Sequence, residues 1–201
     1  VGTEQVVAKL LANAGAEFAE PTLHRVVDKY GDRESVQDRL VHREVLPVTV
    51  AERLVTHVAE HLQSYILSKH KVSEEVALDL VLQSRERATL GLAMGVSDEG
   101  LTALVRQLGE NERLTPSLVL RAICTGNLRF FEHALAALSG IPIGNARTLI
   151  HDPGQRGFET IWEKAKLPKS HLSGAHVALK VVEQTELDGR PHDPERYSRR
   201  I

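Results

Sequence analysis

The 201-residue chain has little of several residue types, and each shortage excludes a class of protein. Its single cysteine, Cys124, excludes an internal disulfide and a metal cluster built on cysteines. Because Cys124 lies in an apolar helical segment, we expect a buried, inert thiol rather than a nucleophile. Aromatic residues make up only 4%, so Leu, Val, Ile and Ala must fill the core, and these residues suit close packing between helices.

Long apolar runs and a strong net charge are also missing. No run reaches the roughly 18 to 20 residues that cross a bilayer. Glu4 and Lys9 interrupt the apolar residues where a signal peptide would begin. We therefore expect no membrane partner and a cytoplasmic location. The formal net charge of −2 provides no overall attraction to nucleic acid or to anionic membranes.

What the chain does contain is apolar residues at helical spacing, separated by Pro, Gly and Asn. The segment from Thr115 to Phe158 shows this most clearly. Thr115 followed by Pro116 is a helix start signal, Gly126 predicts a helix end, and Asn127 can cap the next helix. No segment shows the alternation typical of a half-buried strand, so we predict no sheet.

Two long helices are expected in the first half of the chain. Ser73 is a good N-cap for the second of them, and the short connection predicts an antiparallel hairpin. We expect the apolar stripes of both helices to be buried. The stripe of the first helix consists of Val50, Leu54, Val58, Leu62, Tyr65 and Ile66, and that of the second of Val76, Leu80, Val81, Ala88 and Leu92.

These patterns predict an all-α protein of about eight to ten helices. We expect antiparallel helix pairs stacked as a short HEAT-like α-solenoid, or a related helical bundle. One echo supports a repeat, because residues 103–109 resemble residues 135–140 at an offset of about 30 residues. We predict an N-terminal helical half over 1–96, a C-terminal helical-repeat half over 97–186, and a polar tail over 187–201 that runs into a truncated helix.

Three stretches carry a resemblance to a known family: VAERLVTHVAEHLQSYIL (50–67), QSRERATL (83–90) and, above all, residues 114–158. The chain resembles an uncharacterised proteobacterial domain-of-unknown-function family with HEAT-like helical repeats. The resemblance implies the fold, and it implies no activity, cofactor or catalytic residue. Longer members carry further repeats. The chain starts at Val1 without an initiator Met and ends in the helix-like PERYSRRI, so we expect it to be part of a longer protein.

One short motif suggests a metal. His57-Val-Ala-Glu60-His61 matches the H-x-x-E-H pattern of inverted zinc peptidases, in which two histidines one turn apart hold Zn²⁺ and the glutamate activates water. A zinc-dependent hydrolase is therefore one alternative function. The simpler interpretation places His57 and His61 in solvent beside a buried stripe. Because no further ligand has a recognisable context, we expect no metal, no cofactor and no catalytic set.

The second half of the chain offers candidate binding residues. The loop His151–Phe158 could bind an anion through Gly154, Gly157 and the N–H groups of the next helix, or it is a plain turn capped by Asp152. Several arginines could line one side of stacked helices, or pair with nearby Glu132 or Glu159. The binding candidates are Arg121, Arg129, Phe130, Arg147, Arg156 and Trp162. As binding residues the aromatic ones would be exposed, and the alternative interpretation of Phe130 and Trp162 is core packing.

From these observations we expect a protein-interaction or scaffolding module rather than an enzyme, because stacked helices present an extended surface and no catalytic set is visible. A protein partner is expected, and its identity and the oligomeric state stay open. A nucleic-acid-binding helical repeat is the other alternative. Salt-dependent retention on DNA or RNA would distinguish it, because phosphate contacts weaken steeply with salt.

Overall fold

The computed structural model describes residues 2–43, 45–69 and 73–186. Within these ranges the chain forms eleven α-helices and one short 3-10 turn, with no strand. The predicted polar tail, 187–201, lies outside the described residues. The helices are α1 (Glu4–Leu11), α2 (Glu20–Tyr30), α3 (Glu34–Val41), α4 (Val48–Lys69), α5 (Glu74–Ala93), α6 (Asp98–Glu110), α7 (Pro116–Cys124), α8 (Leu128–Ser139), α9 (Ile143–Ile150), α10 (Arg156–Lys164) and α11 (Leu172–Glu186).

The start and stop signals in the sequence act at the helix ends as predicted. Ser73 accepts a hydrogen bond from the Val76 N–H and caps α5, and Thr115 accepts one from the Leu118 N–H and caps α7. Asn127 does the same for α8. Gly140 ends α8 with φ of 67°, a left-handed conformation that glycine adopts without strain.

The described part of the chain divides into two compact units, one ending at Val96 and the other beginning at Ser97. In the first unit α1 packs on α3, α2 packs on α4, and α4 packs along α5. The apolar faces of α1 to α3 and the first part of α4 form its core, with Phe18, Tyr30 and Leu46 at the border. The core residues are Val7, Leu11, Leu23, Val26, Val27, Val36, Leu40, Val50 and Leu54.

The helices α4 and α5 form the predicted antiparallel hairpin. They have 22 and 20 residues and pack along one another. The few residues between them could not carry the chain back along a helix of about 30 Å, so the two helices run in opposite directions. Val50 and Leu54, near the start of α4, belong to the core of the first unit. The part of the hairpin nearest the connection extends beyond that core.

In the second unit α8 is the central helix. It packs against α6, α7, α9 and α10, while α11 packs against α7 and α10. Because neighbours surround it, α8 buries residues around most of its circumference, including both Phe130 and Phe131. Phe131 packs on Phe158 of α10 with ring centroids 6.3 Å apart, and Phe158 packs on Trp162 at 5.7 Å. These rings fill the core of the unit together with the aliphatic residues.

Candidate functional site

The charged residues of the second unit form a network that connects α6 to α8 and α9. The Asp98 carboxylate lies at the N-terminus of α6 and accepts hydrogen bonds from Arg129 Nη2 at 2.6 Å and from Arg147 Nη2 at 3.1 Å. These two bonds lower the pKa of Asp98 to about 2. Asp98 is therefore ionised throughout the neutral range and links one arginine of α8 to one of α9.

A second carboxylate extends this network to α11. Glu132 is buried on α8 and accepts a bond from Arg147 Nε at 2.8 Å, while its other oxygen lies 2.7 Å from His151 Nε2. The other ring nitrogen of His151 lies 2.7 Å from Glu183 of α11. Burial by itself would lower the pKa of His151, but the bonds to Glu132 and Glu183 outweigh it and raise the pKa.

His133 lies beside this network in a different environment. Its side chain is 3% exposed, its Nδ1 lies 3.2 Å from the Thr102 hydroxyl, and its Nε2 lies 3.7 Å from Asp98. Burial lowers the pKa of His133, and nearby Asp98 offsets part of that effect. His133 is therefore neutral at pH 7, whereas His151 gains protons more readily than a free imidazole.

The network places two of the predicted binding arginines against carboxylates of their own chain. Arg129 and Arg147 pair with Asp98, and Arg147 also pairs with Glu132. For Arg147 this is the interpretation in which an arginine bonds the nearby Glu132, whereas Arg129 pairs with an aspartate. Their positive charge is balanced by these carboxylates, so Arg129 and Arg147 hold helices together. Arg121 is half-buried on α7, and Arg156 is exposed at the first residue of α10.

The predicted exposure of the two aromatic candidates needs correction. Phe130 and Trp162 are buried, with 0% and 2% of their surface exposed. The physical reason is that α8 has neighbours on several sides, and that Trp162 packs on Phe158 while its indole N–H donates to the Pro168 carbonyl. Both side chains contribute to the core in this conformation, and neither presents a surface to a partner.

The loop between α9 and α10 uses its own carboxylate as the anion. Asp152 accepts hydrogen bonds from the Gly154 N–H at 3.2 Å and from the Gly157 N–H at 2.9 Å. These two bonds lower the pKa of Asp152. The carboxylate therefore satisfies N–H groups that an external anion would need. The turn capped by Asp152, one of the two interpretations of this loop, is the arrangement that the structure shows.

The predicted zinc motif and the cysteine have unremarkable surroundings. His57 is half-buried, with its ring close to Gly31, and Glu60 and His61 are exposed on α4. Among the described residues no group of three or more His, Cys, Asp or Glu side chains could hold a metal ion. Cys124 is partly buried rather than fully buried, and burial raises the pKa of its thiol, which disfavours the reactive thiolate.

The largest departure from expectation is on the hairpin. Val58, Leu62 and Tyr65 of α4 and Val76 and Leu80 of α5, predicted to be buried, are each between 44% and 57% exposed. We call these five residues the hairpin face. The prediction was wrong because the other helices of the first unit, α1 to α3, have only 8 to 11 residues. Such short helices cover the beginning of α4 but not its whole length.

The five residues lie on one side of the hairpin. Val58 precedes the buried Ala59, and Val76 and Leu80 precede the buried Ala77 and Val81. Because α4 and α5 pack along one another, we infer that these buried residues lie on the line of contact. One residue turns about 100° around a helix axis, and in antiparallel helices this step leads to the same side of the pair. Leu62 and Tyr65 follow Val58 at helical spacing and share its side.

Two further exposed leucines lie on the other side of the hairpin. Leu67 and Leu78 follow the residues of the contact line instead of preceding them, so the same rotation leads to the opposite side. Leu78 is 47% exposed, close to the value for Leu80. Leu78 and Leu80 therefore provide a matched test of the two sides of the hairpin.

The helices and surfaces described above define the class: an all-helical protein of packed helix pairs with an uncovered apolar surface on a long hairpin. A family model described as an uncharacterised protein conserved in bacteria, DUF2336, matches residues 1–201. The chain belongs to this bacterial family, which confirms the resemblance at that level. No curated protein and no solved structure matches the chain. Within the described ranges no helix is long and apolar enough to cross a membrane.

Proposed function

We propose that this chain is a protein-interaction module of a bacterial cytoplasmic protein and that it binds its partner through the hairpin face. The observation that carries the proposal is the half-exposed apolar surface of Val58, Leu62, Tyr65, Val76 and Leu80. Contiguous apolar patches on soluble proteins mark interaction surfaces more often than chance, because leaving them in water costs free energy.

Covering the hairpin face contributes part of the free energy that binding requires. Fully burying a Val or Leu side chain contributes about 1.5–3 kcal/mol, so covering the exposed half of each contributes about 1 kcal/mol. Five such side chains give a gross gain of about 5 kcal/mol from one partner, before any gain from the surface that covers them. Part of this gain offsets the loss of translational and rotational freedom. The expected complex is therefore specific but weak.

The charged network supports binding by the first unit rather than by the arginines of the second. Asp98 and Glu132 balance Arg129 and Arg147, and His151 lies between Glu132 and Glu183 within the unit. A phosphate or an acidic peptide would have to compete with these carboxylates for the same guanidinium groups. HEAT-like stacking of the helix pairs stays part of the proposal, since α8 to α11 pack as successive neighbours.

Site-specific photo-cross-linking tests the proposal. A photo-reactive residue is placed at position 80 in the hairpin face, and a matched one at position 78 on the other side of α5. Both variants are expressed in a host bacterium of the family and illuminated. We expect a protein adduct at position 80 and little at position 78. Adducts of equal yield at both positions, or none at either, would remove the hairpin face as the binding surface.

A further inference from the structure

We propose that the occupant of the hairpin face is the hairpin face of a second copy of this chain, so that two α4–α5 hairpins form a four-helix bundle. This inference rests on the proposed function, because it names the partner of the same surface. It is carried by the shape and composition of the face, which spans both helices of a two-helix layer.

The hairpin face is self-complementary. Its members are four aliphatic residues and one tyrosine, with no charged side chain, so bringing two copies together places no like charges at the centre. A two-helix layer with one apolar side lacks the second layer of a bundle, and another such layer supplies it. A twofold contact of this kind uses the same patch on both copies and closes upon itself, which prevents further growth.

The positions along the hairpin also match. Leu62 and Leu80 lie at similar distances along the chain from the connection between α4 and α5, and Tyr65 lies near the level of Val76. A twofold axis parallel to the hairpin places α4 of one copy over α5 of the other. Leu62 then meets Leu80 of the second copy, and Tyr65 meets Val76. Each of these four side chains thus packs near an apolar one.

The rims of the two layers are complementary in hydrogen bonding. His61 is exposed at the outer edge of α4, and Asp79 is exposed at the outer edge of α5, where Gln83 donates to it at 2.7 Å. The same twofold axis brings the α4 edge of one copy beside the α5 edge of the other. An imidazole then faces a carboxylate on each rim, an arrangement that favours this partner over an unrelated apolar surface.

The small size of the contact favours a weak, reversible dimer, although buried area alone does not fix an affinity. Five half-exposed side chains and their rims form an interface at the low end of specific contacts, below about 1,200 Å² in total. Such an interface predicts a reversible dimer with a dissociation constant on the order of 10 µM. The dimer should therefore appear and disappear within an accessible range of protein concentration.

Sedimentation velocity over roughly 1–200 µM brackets this constant and tests the inference. The wild-type chain is compared with Leu80→Glu and with the matched control Leu78→Glu, whose side chain lies on the opposite side of the same helix. We expect wild type and Leu78→Glu to dimerise as concentration rises. A twofold contact contains Leu80 twice, so Leu80→Glu should weaken the dimer at least about a hundredfold and remain mostly monomeric over this range. Circular dichroism should show the same helix content for all three, because both substituted residues are exposed.

Two results would overturn the dimer. A wild-type chain that stays monomeric at the highest concentration excludes it. Equal dimerisation of wild type and Leu80→Glu places the contact elsewhere. These failures are distinguishable from a failure of the proposed function, because the cross-linking at position 80 reports any partner. A monomeric chain with a position-80 adduct to another protein overturns the second copy and keeps the interaction surface, whereas a monomer without an adduct removes both.

Discussion

The long hairpin of the first unit and the central helix of the second show opposite fates for apolar helical residues. On α8, neighbours on several sides cover even adjacent positions, so Phe130 and Phe131 are both buried. On α4 the apolar stripe continues beyond the core of its unit, and Leu62 and Tyr65 are left in solvent. The comparison teaches that an apolar stripe shows which side of a helix prefers contact, whereas the length of neighbouring helices decides whether the chain itself provides it.

The largest expected effect is a loss of stability when a buried side chain of α8, the covered helix in this comparison, is truncated. Phe131→Ala removes a fully buried ring that packs on Phe158, and it leaves a cavity in the second unit. We expect the free energy of unfolding to fall by about 3–5 kcal/mol. Trp162, the single tryptophan, lies next to Phe158, so its fluorescence in urea reports this unit. Val177→Ala, at an exposed position of α11, is the control, and an equally small loss for Phe131→Ala would contradict the packing described.

A smaller loss of stability is expected for the charged network of the second unit, where ion pairs rather than apolar contacts connect the helices. Glu132→Gln keeps the shape of a buried side chain but removes the charge that meets Arg147 and His151. Because both partners are partly exposed to solvent, we expect a loss of about 1–3 kcal/mol rather than the full penalty of an unpaired buried charge.

The control for this substitution is Glu163→Gln. Glu163 pairs with Lys169 at 2.7 Å, but both side chains are mostly exposed, and such surface pairs add little. Urea unfolding followed by Trp162 fluorescence compares the two variants. Equal losses would mean that burial of Glu132 gives the network no additional importance.

A substitution where the turn meets α10 should cost a comparable amount of stability, for a local steric reason. A Cβ at Gly157 would lie 2.7 Å from the Leu149 carbonyl oxygen and 2.8 Å from Asp152 Cβ, so Gly157→Ala forces the backbone to move. We expect a loss of about 1–3 kcal/mol. Gly144→Ala in α9 meets no atom within 4 Å and should gain up to about 1 kcal/mol, because alanine favours helices. Thermal unfolding of both variants checks the opposite signs.

The smallest expected effect is a dependence on pH. The raised pKa of His151 means that its contribution to stability is present below about pH 6.5, the ordinary value for histidine, and is lost as pH rises through the folded-state pKa. The lowered pKa of His133 has the opposite sign, so its contribution is present above that ordinary value and is lost as pH falls.

Removing one histidine should therefore leave the pH dependence of stability that the other contributes. Comparing His151→Gln with the wild type between about pH 5.5 and pH 8 isolates its contribution, since only the wild type loses stability from His151 as pH rises. In the variant, the stability of the second unit should increase with pH more than in the wild type. Urea midpoints from Trp162 fluorescence measure this difference, and identical pH profiles would contradict the roles assigned to both residues.

Local features of the fold were predictable from the sequence, and long-range ones were not. Ser73, Thr115 and Asn127 cap helices because capping depends on residues three positions apart. By contrast, Thr49 lies in the first turn of α4, which begins at Val48, and its hydroxyl donates to Glu20 of α2. That bond joins residues distant in sequence, which local patterns do not reveal.

In the candidate sites, too, local features were predictable from the sequence and long-range contacts were not. The pairing of Arg147 with Glu132 was one of two open interpretations, because the sequence places both charges within neighbouring helices. The role of Asp98, 49 positions before Arg147, had no sequence signal. For the hairpin face a signal existed: the stripe of α4 is longer than any helix that precedes it in the unit. Comparing those lengths would have predicted that part of the stripe is uncovered.

The most direct measurement compares neighbouring residues of α5 for their contribution to the stability of the monomer. Leu80→Ala and Val81→Ala are unfolded in urea at about 1 µM, a concentration below the expected dimer constant, and followed by circular dichroism. The account predicts a change within about 0.5 kcal/mol for Leu80→Ala and a loss of about 2 kcal/mol for Val81→Ala, because only Val81 is buried within the hairpin. A loss for Leu80→Ala as large as that for Val81→Ala would show that the chain covers its own hairpin face, and no surface would remain for a partner.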